Sequence, residues 1–154
     1  MLDLVIQNQQ NEFQIPDVKK MQYWVDGALM TEENVQVTLR IVDLNESQGL
    51  NKEFRGKDRP TNVLSFPIEL PEEFIETLEI NMLGDLVVCA GVVEKEAQEQ
   101  VKTLDSHWAH MLVHGMLHLQ GYDHIDDADA EKMEQLEVKI LTQLGFDDPY
   151  NDEN

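Results

Sequence analysis

The chain has 154 residues, a formal net charge of −20 and a single cysteine. Its length suits one domain with its own hydrophobic core, and no apolar run approaches the ~20 residues of a membrane-spanning helix. The charge excludes a protein that binds nucleic acid over its whole surface, since phosphates repel it, and one cysteine excludes an internal disulfide.

The first half of the chain predicts alternating strands and helices. Its opening, MLDLVIQNQQ, has no basic segment followed by a small-residue cleavage site, which predicts a cytoplasmic protein. Apolar residues recur at helical spacing in IPDVKKMQYWVDGAL, whereas NVQVTLRIVD alternates like a half-buried strand. The predicted elements are a strand at 2–7, a helix at 15–29, a strand at 34–43, a short helix at 43–54 and a strand at 61–68.

The second half predicts one more strand and three helices. An acidic segment, 69–80, is expected to form a loop before a strand at 81–90. The helices are predicted at 91–104, 106–119 and 127–145, the last one capped by Asp126 or Asp127 and stopped by Gly145. Because the helix at 106–119 is apolar on nearly every side, it should be central and buried.

Together these elements predict a single α/β (α+β) domain that spans residues 1–154. We expect a small, mostly four-stranded mixed sheet covered by about five helices, with the histidine-bearing helix at the centre. Cys89, in the apolar run LVVCA, is expected to be a small buried hydrophobic residue. Residues 147–154 are expected to fray.

The segment HGMLHLQGYDH, residues 114–124, predicts a metal site. His114 and His118 are four residues apart, so both imidazoles project from one face of a helix. Gly121 can adopt the left-handed conformation that ends the helix, and the turn can bring His124 back towards the other two. Three neutral nitrogen donors with a fourth position open are typical of a catalytic zinc site.

Two further histidines lie on the same helical arc. His107 and His110 fit either a proton shuttle that supports the metal site or ordinary packing. The ligand spacing equals that of metzincin peptidases, in which a glutamate after the first histidine is the general base. Gly115 occupies that position here and cannot accept a proton, which makes a peptidase the less favoured alternative.

The positive charge is concentrated in NKEFRGKDRP. This stretch holds four of the eleven cationic residues of the chain, whereas the acids are concentrated in 69–80 and from Asp123 to the end. It predicts either a solvated loop or a short strip that tracks a nucleic-acid backbone. The four residues are Lys52, Arg55, Lys57 and Arg59.

Three segments in order, RGKDRPTNVLSFP, LGDLVV and HGMLHLQGYDH, resemble the YbeY endoribonuclease family. The resemblance implies a single-metal, zinc-dependent ribonuclease that is specific for single strands and acts in 16S rRNA 3′-end processing and ribosome quality control. It also implies His114, His118 and His124 as ligands and Arg59 as the cation that faces the substrate. The family pattern usually has an aspartate where this chain has Asn62, so we assign position 62 no acid/base role.

The chemistry of these residues agrees with that resemblance. Zinc held by three imidazoles acidifies water and polarises a phosphoryl oxygen, which makes His114 part of the catalytic set. The planar guanidinium of Arg59 suits the charge that develops on phosphorus, while Lys52, Arg55 and Lys57 could bind the RNA backbone. Asp123 is expected to orient a ligand imidazole by hydrogen bonding rather than to act as general base.

The expected partners follow from the charge. A small cationic strip in an acidic protein predicts weak, salt-sensitive binding to single-stranded rRNA, so delivery by a ribosomal protein or an assembly GTPase is expected. Neither DNA nor a membrane is an expected partner. The alternatives are a metal hydrolase of another, peptidase-like class and a non-catalytic ribosome-assembly factor whose metal only stabilises the fold.

Overall fold

The computed structural model describes residues 2–68, 81–123 and 126–150, which form four strands and five helices. The strands are β1 (Leu2–Asn8), β2 (Val35–Val42), β3 (Val63–Pro67) and β4 (Asn81–Cys89). The helices are α1 (Val18–Ala28), α2 (Leu44–Arg55), α3 (Ala90–Glu99), α4 (Leu104–Leu119) and α5 (Asp127–Gln143). The segment predicted to be an acidic loop, 69–80, lies outside the described residues.

The strands form one mixed sheet in the order β1-β2-β4-β3. β1, β2 and β4 run parallel, and β3 pairs with β4 in the antiparallel direction, so β3 lies at one end of the sheet formed by the described residues. The predicted alternation of β2 is confirmed, because Val35, Val37, Leu39 and Ile41 are buried in one hydrophobic cluster. The single α/β domain with a four-stranded mixed sheet is therefore confirmed.

Helices cover both faces of the sheet. α1 and α4 pack together over one face, where Trp24, Trp108 and Leu112 belong to the main core cluster. On the other face, Leu50 of α2 packs on a smaller cluster made by Val42, Leu64, Val87 and Cys89. Burying one large apolar side chain contributes roughly 1.5–3 kcal/mol to folding, so this layered core dominates stability. Cys89 is buried, as predicted.

α4 is the central helix, as its apolar pattern predicts. It contacts α1, α3, α5, β3 and β4, and its buried residues lie on nearly every side. Thr103 begins it by accepting a hydrogen bond from the Ser106 backbone. This helix carries four histidines at fixed positions, of which His107 and His110 are buried. None of the described helices is long and apolar enough to cross a membrane.

Helix ends match the predictions at α5 and differ at α3. Asp126 caps α5, and Gly145 follows it with φ 96°, as predicted. The helix predicted to reach residue 104 ends at Glu99 instead. Its end is closed by hydrogen bonds from the Val101 amide to the Gln98 carbonyl and from the Lys102 amide to the Ala97 carbonyl. The prediction missed this end because Val101 occupies the left-handed position where glycine is usual.

The tail predicted to fray is described as far as Tyr150, and this part makes contacts with the body of the protein. The Lys102 ammonium donates a hydrogen bond to the Pro149 carbonyl at 3.2 Å. The Tyr150 hydroxyl donates to the Glu137 carboxylate in α5. Residues 151–154 lie outside the described part.

Candidate functional site

α4 brings the side chains of His114 and His118 together, as the four-residue spacing predicts. Their Nε2 atoms lie 3.1 Å apart, and their ring centroids are 4.6 Å apart. Two imidazole nitrogens that bind one zinc ion tetrahedrally at ~2.0–2.1 Å are separated by about 3.3 Å. The observed pair therefore has the spacing of two nitrogen ligands of one metal ion.

Glu137 of α5 supports this pair from the interior. Its side chain is fully buried, and one oxygen accepts a hydrogen bond from Nδ1 of His114. The other oxygen lies 3.3 Å from Nε2 of His110 and accepts a hydrogen bond from the Tyr150 hydroxyl. Each carboxylate oxygen thus has at least one polar partner, which burial of a charge requires.

These contacts fix the charge state of Glu137. Burial alone would raise the pKa of the carboxyl group, but hydrogen bonds from His110, His114 and Tyr150 and the charge of His114 outweigh it and lower the pKa to about 2. Glu137 is consequently ionised at neutral pH and acts as an acceptor. Nδ1 of His114 must carry a proton to donate to it, so in a neutral imidazole Nε2 presents its lone pair beside His118.

His110 and Tyr150 complete the buried network. Nε2 of His110 lies 3.3 Å from the Tyr150 hydroxyl oxygen, and burial lowers the pKa of His110 despite its contact with Glu137. Burial and the adjacent Glu137 carboxylate raise the pKa of Tyr150, so its hydroxyl stays protonated and serves as a donor. His110 is thus connected to His114 through Glu137.

His107 belongs to a second network, with Glu96 of α3 and Asn62 before β3. Nε2 of His107 lies 3.0 Å from a Glu96 oxygen, and Nδ2 of Asn62 donates to both Glu96 oxygens, at 3.1 and 3.3 Å. Burial would raise the pKa of Glu96, but hydrogen bonds from His107 and Asn62 lower it below its ordinary value. Asn62 thus acts as an amide donor, which an aspartate carboxylate could not do.

A cleft of about 910 Å³ opens beside the two histidines. It follows the length of β3 and is bounded by the ends of α2 and α4. Its lining residues are Phe54, Arg55, Asn62, Val63, Leu64, Ser65, Phe66, Pro67, His114, His118, Gly121, Tyr122 and Asp123. A concave surface that joins two convergent imidazoles to a strand at the end of the sheet is suited to a substrate site.

Gly121 ends α4, as predicted. Gly121 has φ 97°, and the amides of Gly121 and Tyr122 bond to the carbonyls of His118 and Leu117. Asp123 lines the cleft. The third predicted ligand, His124, lies outside the described residues. Within residues 2–68, 81–123 and 126–150, no three His, Cys, Asp or Glu side chains form a set that could hold a metal ion.

The four predicted cations are all exposed. Arg55, the last residue of α2, lines the cleft, and Lys52 is 3.9 Å from Asp58 in an exposed ion pair. Arg59 lies in the loop after α2, where its backbone carbonyl accepts a hydrogen bond from the Asn51 side chain. That bond ties the loop to the helix and so holds Lys57 and Arg59 near the same end of the protein.

The sequence patterns did not reveal Glu137, Glu96 or Tyr150. For Glu137 a signal exists, because it lies four residues after Met133 and four before Leu141, both of which are buried. A carboxylate on the apolar face of a helix predicts a buried partner. Glu96 and Tyr150 meet their partners through tertiary contacts that no local spacing indicates.

The chain is similar to known proteins in both sequence and structure. Residues 5–145 match the sequence model of the family described as Endoribonuclease YbeY. A solution structure of a Thermotoga maritima protein is similar with a TM-score of 0.51 and 26% sequence identity. That similarity covers 98% of this chain and 99% of the other.

Proposed function

Because this chain belongs to the YbeY endoribonuclease family, whose members cleave RNA in rRNA processing, we propose that it is a zinc-dependent, single-strand-specific endoribonuclease of the cytoplasm. Its proposed role is maturation of rRNA, including the 3′ end of 16S rRNA, and ribosome quality control. The observation that carries the metal dependence is the pair of His114 and His118 Nε2 atoms, 3.1 Å apart at the wall of the cleft.

The proposed ligands of the metal are His114, His118 and His124. Zinc accepts neutral imidazole nitrogens, and the contact of His114 with Glu137 is the carboxylate–histidine arrangement that orients such ligands. When bound, zinc supplies Lewis acidity for the scissile phosphate and lowers the pKa of water towards ~7. Within the chain, Glu137 holds the Nδ1 proton of His114 and thereby keeps Nε2 available as a donor atom.

The proposed substrate contacts come from the basic residues beside the cleft. Arg55 on the cleft wall and Arg59 in the following loop can pair with phosphate oxygens through their guanidinium groups. Asp123, also on the wall, is proposed to orient an imidazole. Since the chain carries a net charge of −20, binding to RNA alone should be weak and salt-sensitive, and a ribosomal protein or an assembly GTPase is proposed to deliver the substrate.

The test combines metal analysis with cleavage assays. The purified protein should contain about one zinc ion per chain. It should cut a single-stranded rRNA fragment faster than the same sequence in a duplex. His114→Ala should abolish cleavage, and Arg59→Glu should weaken it, whereas Lys19→Glu, an equal charge change at an exposed position of α1, should not. Thermal melting of each variant separates loss of function from loss of fold.

Other outcomes would favour the alternatives. Equal cleavage of RNA by the zinc-loaded protein and by folded His114→Ala would exclude the proposed site. Chelator-sensitive cleavage of casein without RNA cleavage would indicate a peptidase-like hydrolase. Strong destabilisation by a chelator, with no turnover of either substrate, would indicate an assembly factor with a structural metal.

A further inference from the structure

We propose that Phe54, held by Phe66, is a stacking platform for one unpaired nucleobase of the RNA substrate. This inference rests on the proposed ribonuclease function and adds a binding subsite to it. Both rings line the cleft that also contains His114 and His118. The subsite would hold a base on one side of β3 while the phosphate backbone passes the histidines on the other.

The first observation is the exposure of Phe54. Phe54 is 57% exposed, although burial of a phenylalanine side chain is favourable, and it lies in the last turn of α2, whose buried residues are Ser47 and Asn51. An edge contact with Phe66 holds it, with ring centroids 5.0 Å apart and an interplanar angle of 70°. Phe54 is therefore in contact with Phe66 and remains largely exposed at the wall of the cleft.

The second observation is the direction of successive residues of β3. Ser65 faces α4, since its hydroxyl donates to the Gly115 carbonyl at 3.4 Å. The next residue, Phe66, packs with the cluster under α2 on the opposite face of the sheet. Because adjacent strand residues point to opposite faces, the end of the sheet at β3 separates a histidine side from an aromatic side of one cleft. A flexible RNA strand that crosses this edge of the sheet would contact both the histidine side and the aromatic side of the cleft.

The third observation selects the ligand. Arg55 follows Phe54 directly and lines the same cleft, and Lys52, Lys57 and Arg59 are exposed nearby in a chain that is otherwise strongly acidic. An exposed aromatic ring can stack on a nucleobase, and the neighbouring cations can bind phosphates. This combination therefore favours a nucleic acid as the ligand. A nucleobase in a duplex is already stacked and paired, so this platform accepts only an unpaired base. The subsite would therefore contribute to selection of single strands.

The test is a double-mutant cycle between the Phe54 ring and one nucleobase of the RNA. Single-stranded oligoribonucleotides carry one 2-aminopurine or one abasic ribose at each position in turn. Their binding to zinc-loaded protein is measured by stopped flow before cleavage proceeds. At one position, removing the base should weaken binding to wild type about 5- to 150-fold, as expected for loss of one base–aromatic stack. Phe54→Leu should bind intact RNA more weakly than wild type by the same factor. With the RNA that is abasic at that position, Phe54→Leu and wild type should bind equally.

Two variants control the experiment. Phe54→Trp keeps an aromatic face and should retain affinity, and the fluorescence of the new indole should be quenched by RNA; this variant tests the subsite even if Phe54→Leu does not fold. Tyr23→Leu removes an equally exposed aromatic ring from α1 and should leave binding unchanged. Position-specific quenching of 2-aminopurine that disappears in Phe54→Leu would support stacking directly.

The results separate this proposal from the proposed function. RNA cleavage with no coupling between Phe54 and any base would overturn the subsite alone. Coupling without cleavage would support the subsite and overturn the nuclease assignment. If an unfolded peptide binds through Phe54 while RNA binding does not depend on that ring, the subsite belongs to a peptide and the proposal is wrong.

Discussion

The buried carboxylate of Glu137 accepts a hydrogen bond from Nδ1 of His114, which links α5 to the histidine pair on α4. Burying a carboxylate costs several kcal/mol unless donors compensate, and here His110, His114 and Tyr150 surround it. The arrangement points His114 Nε2 to within 3.1 Å of His118 Nε2. Glu137 is thus a positioning residue for the proposed metal site.

Glu137→Gln is expected to weaken zinc binding by about 10- to 100-fold, since residues that orient metal ligands have effects of that size. The amide keeps the shape of the side chain but presents a donor to His114 or His110 in place of one acceptor oxygen. Competition with a chromogenic chelator measures the affinity directly. The control is Glu131→Gln on the exposed face of α5, and equal zinc affinity of the two variants would contradict the role of Glu137.

Tyr150→Phe should lower the free energy of unfolding by about 1.5–3 kcal/mol. The variant removes the hydroxyl that donates to Glu137 while the ring remains, and a hydrogen bond to a charged group contributes in that range. Urea unfolding monitored by circular dichroism measures the change. Tyr23→Phe, which alters an exposed tyrosine on α1, should have no effect. If both substitutions are neutral, the tail does not brace the buried network in solution.

Glu96 predicts a pH dependence of stability. Its pKa is lowered below the ordinary 4.5 by hydrogen bonds from His107 and Asn62, against the opposing effect of burial. A carboxyl group with a lowered folded-state pKa stabilises the protein above its unfolded pKa and loses that contribution as pH falls through the folded value. Glu96→Gln should therefore be less stable than wild type at pH 7, by about 1–3 kcal/mol, and the difference should shrink below about pH 4.5.

Urea unfolding between neutral and acidic pH checks this expectation. Glu99→Gln is the matched control, because Glu99 is exposed and only 3.9 Å from Lys95 in a surface ion pair. Its difference from wild type should be small at every pH. A gap between wild type and Glu96→Gln that stays constant with pH would mean that the Glu96 network does not depend on its charge.

Val101→Gly should stabilise the protein. Val101 has φ 54° and is 92% exposed, so this β-branched residue adopts a left-handed conformation without the benefit of burial. Glycine removes a strain of roughly 1–2 kcal/mol but loses more chain entropy on folding, which leaves a net gain of about 0.5–1 kcal/mol. Val101→Ala keeps a Cβ atom and should gain less stability than Val101→Gly. Thermal melting of wild type and the two variants checks this order of stabilities.

Local patterns predicted the parts of the structure that depend on neighbours in sequence. The spacing of His114 and His118, the turn at Gly121 and the burial of α4 follow from helical geometry and from one conformational preference of glycine. The roles of Glu137 and Tyr150 were not predicted, because they depend on which parts of the chain meet in the fold. An apolar stripe predicts that a helix face is buried, but it does not identify the groups that this face contacts.

Gly115 presents the sharpest test of the less favoured alternative, a peptidase. Gly115→Glu would restore the glutamate that metzincin peptidases use as general base after their first histidine. In this fold, however, a Cβ atom at position 115 would lie 2.7 Å from Cδ2 of Leu86 and 3.3 Å from Oγ of Ser65, because α4 packs closely on the sheet. A glutamate there would overpack the core and place a carboxylate among buried apolar groups.

We therefore expect Gly115→Glu to lower the free energy of unfolding by more than about 3 kcal/mol and to yield no peptidase activity. Gly115→Ala is the matched control: it adds only the Cβ atom, and its steric cost is partly offset by a gain in helix propensity of about 1 kcal/mol. Urea unfolding and a casein assay on zinc-loaded protein measure both consequences. A stable Gly115→Glu variant that cleaves casein would contradict this expectation. It would show that α4 can accommodate a glutamate at position 115, and it would favour the peptidase-like alternative.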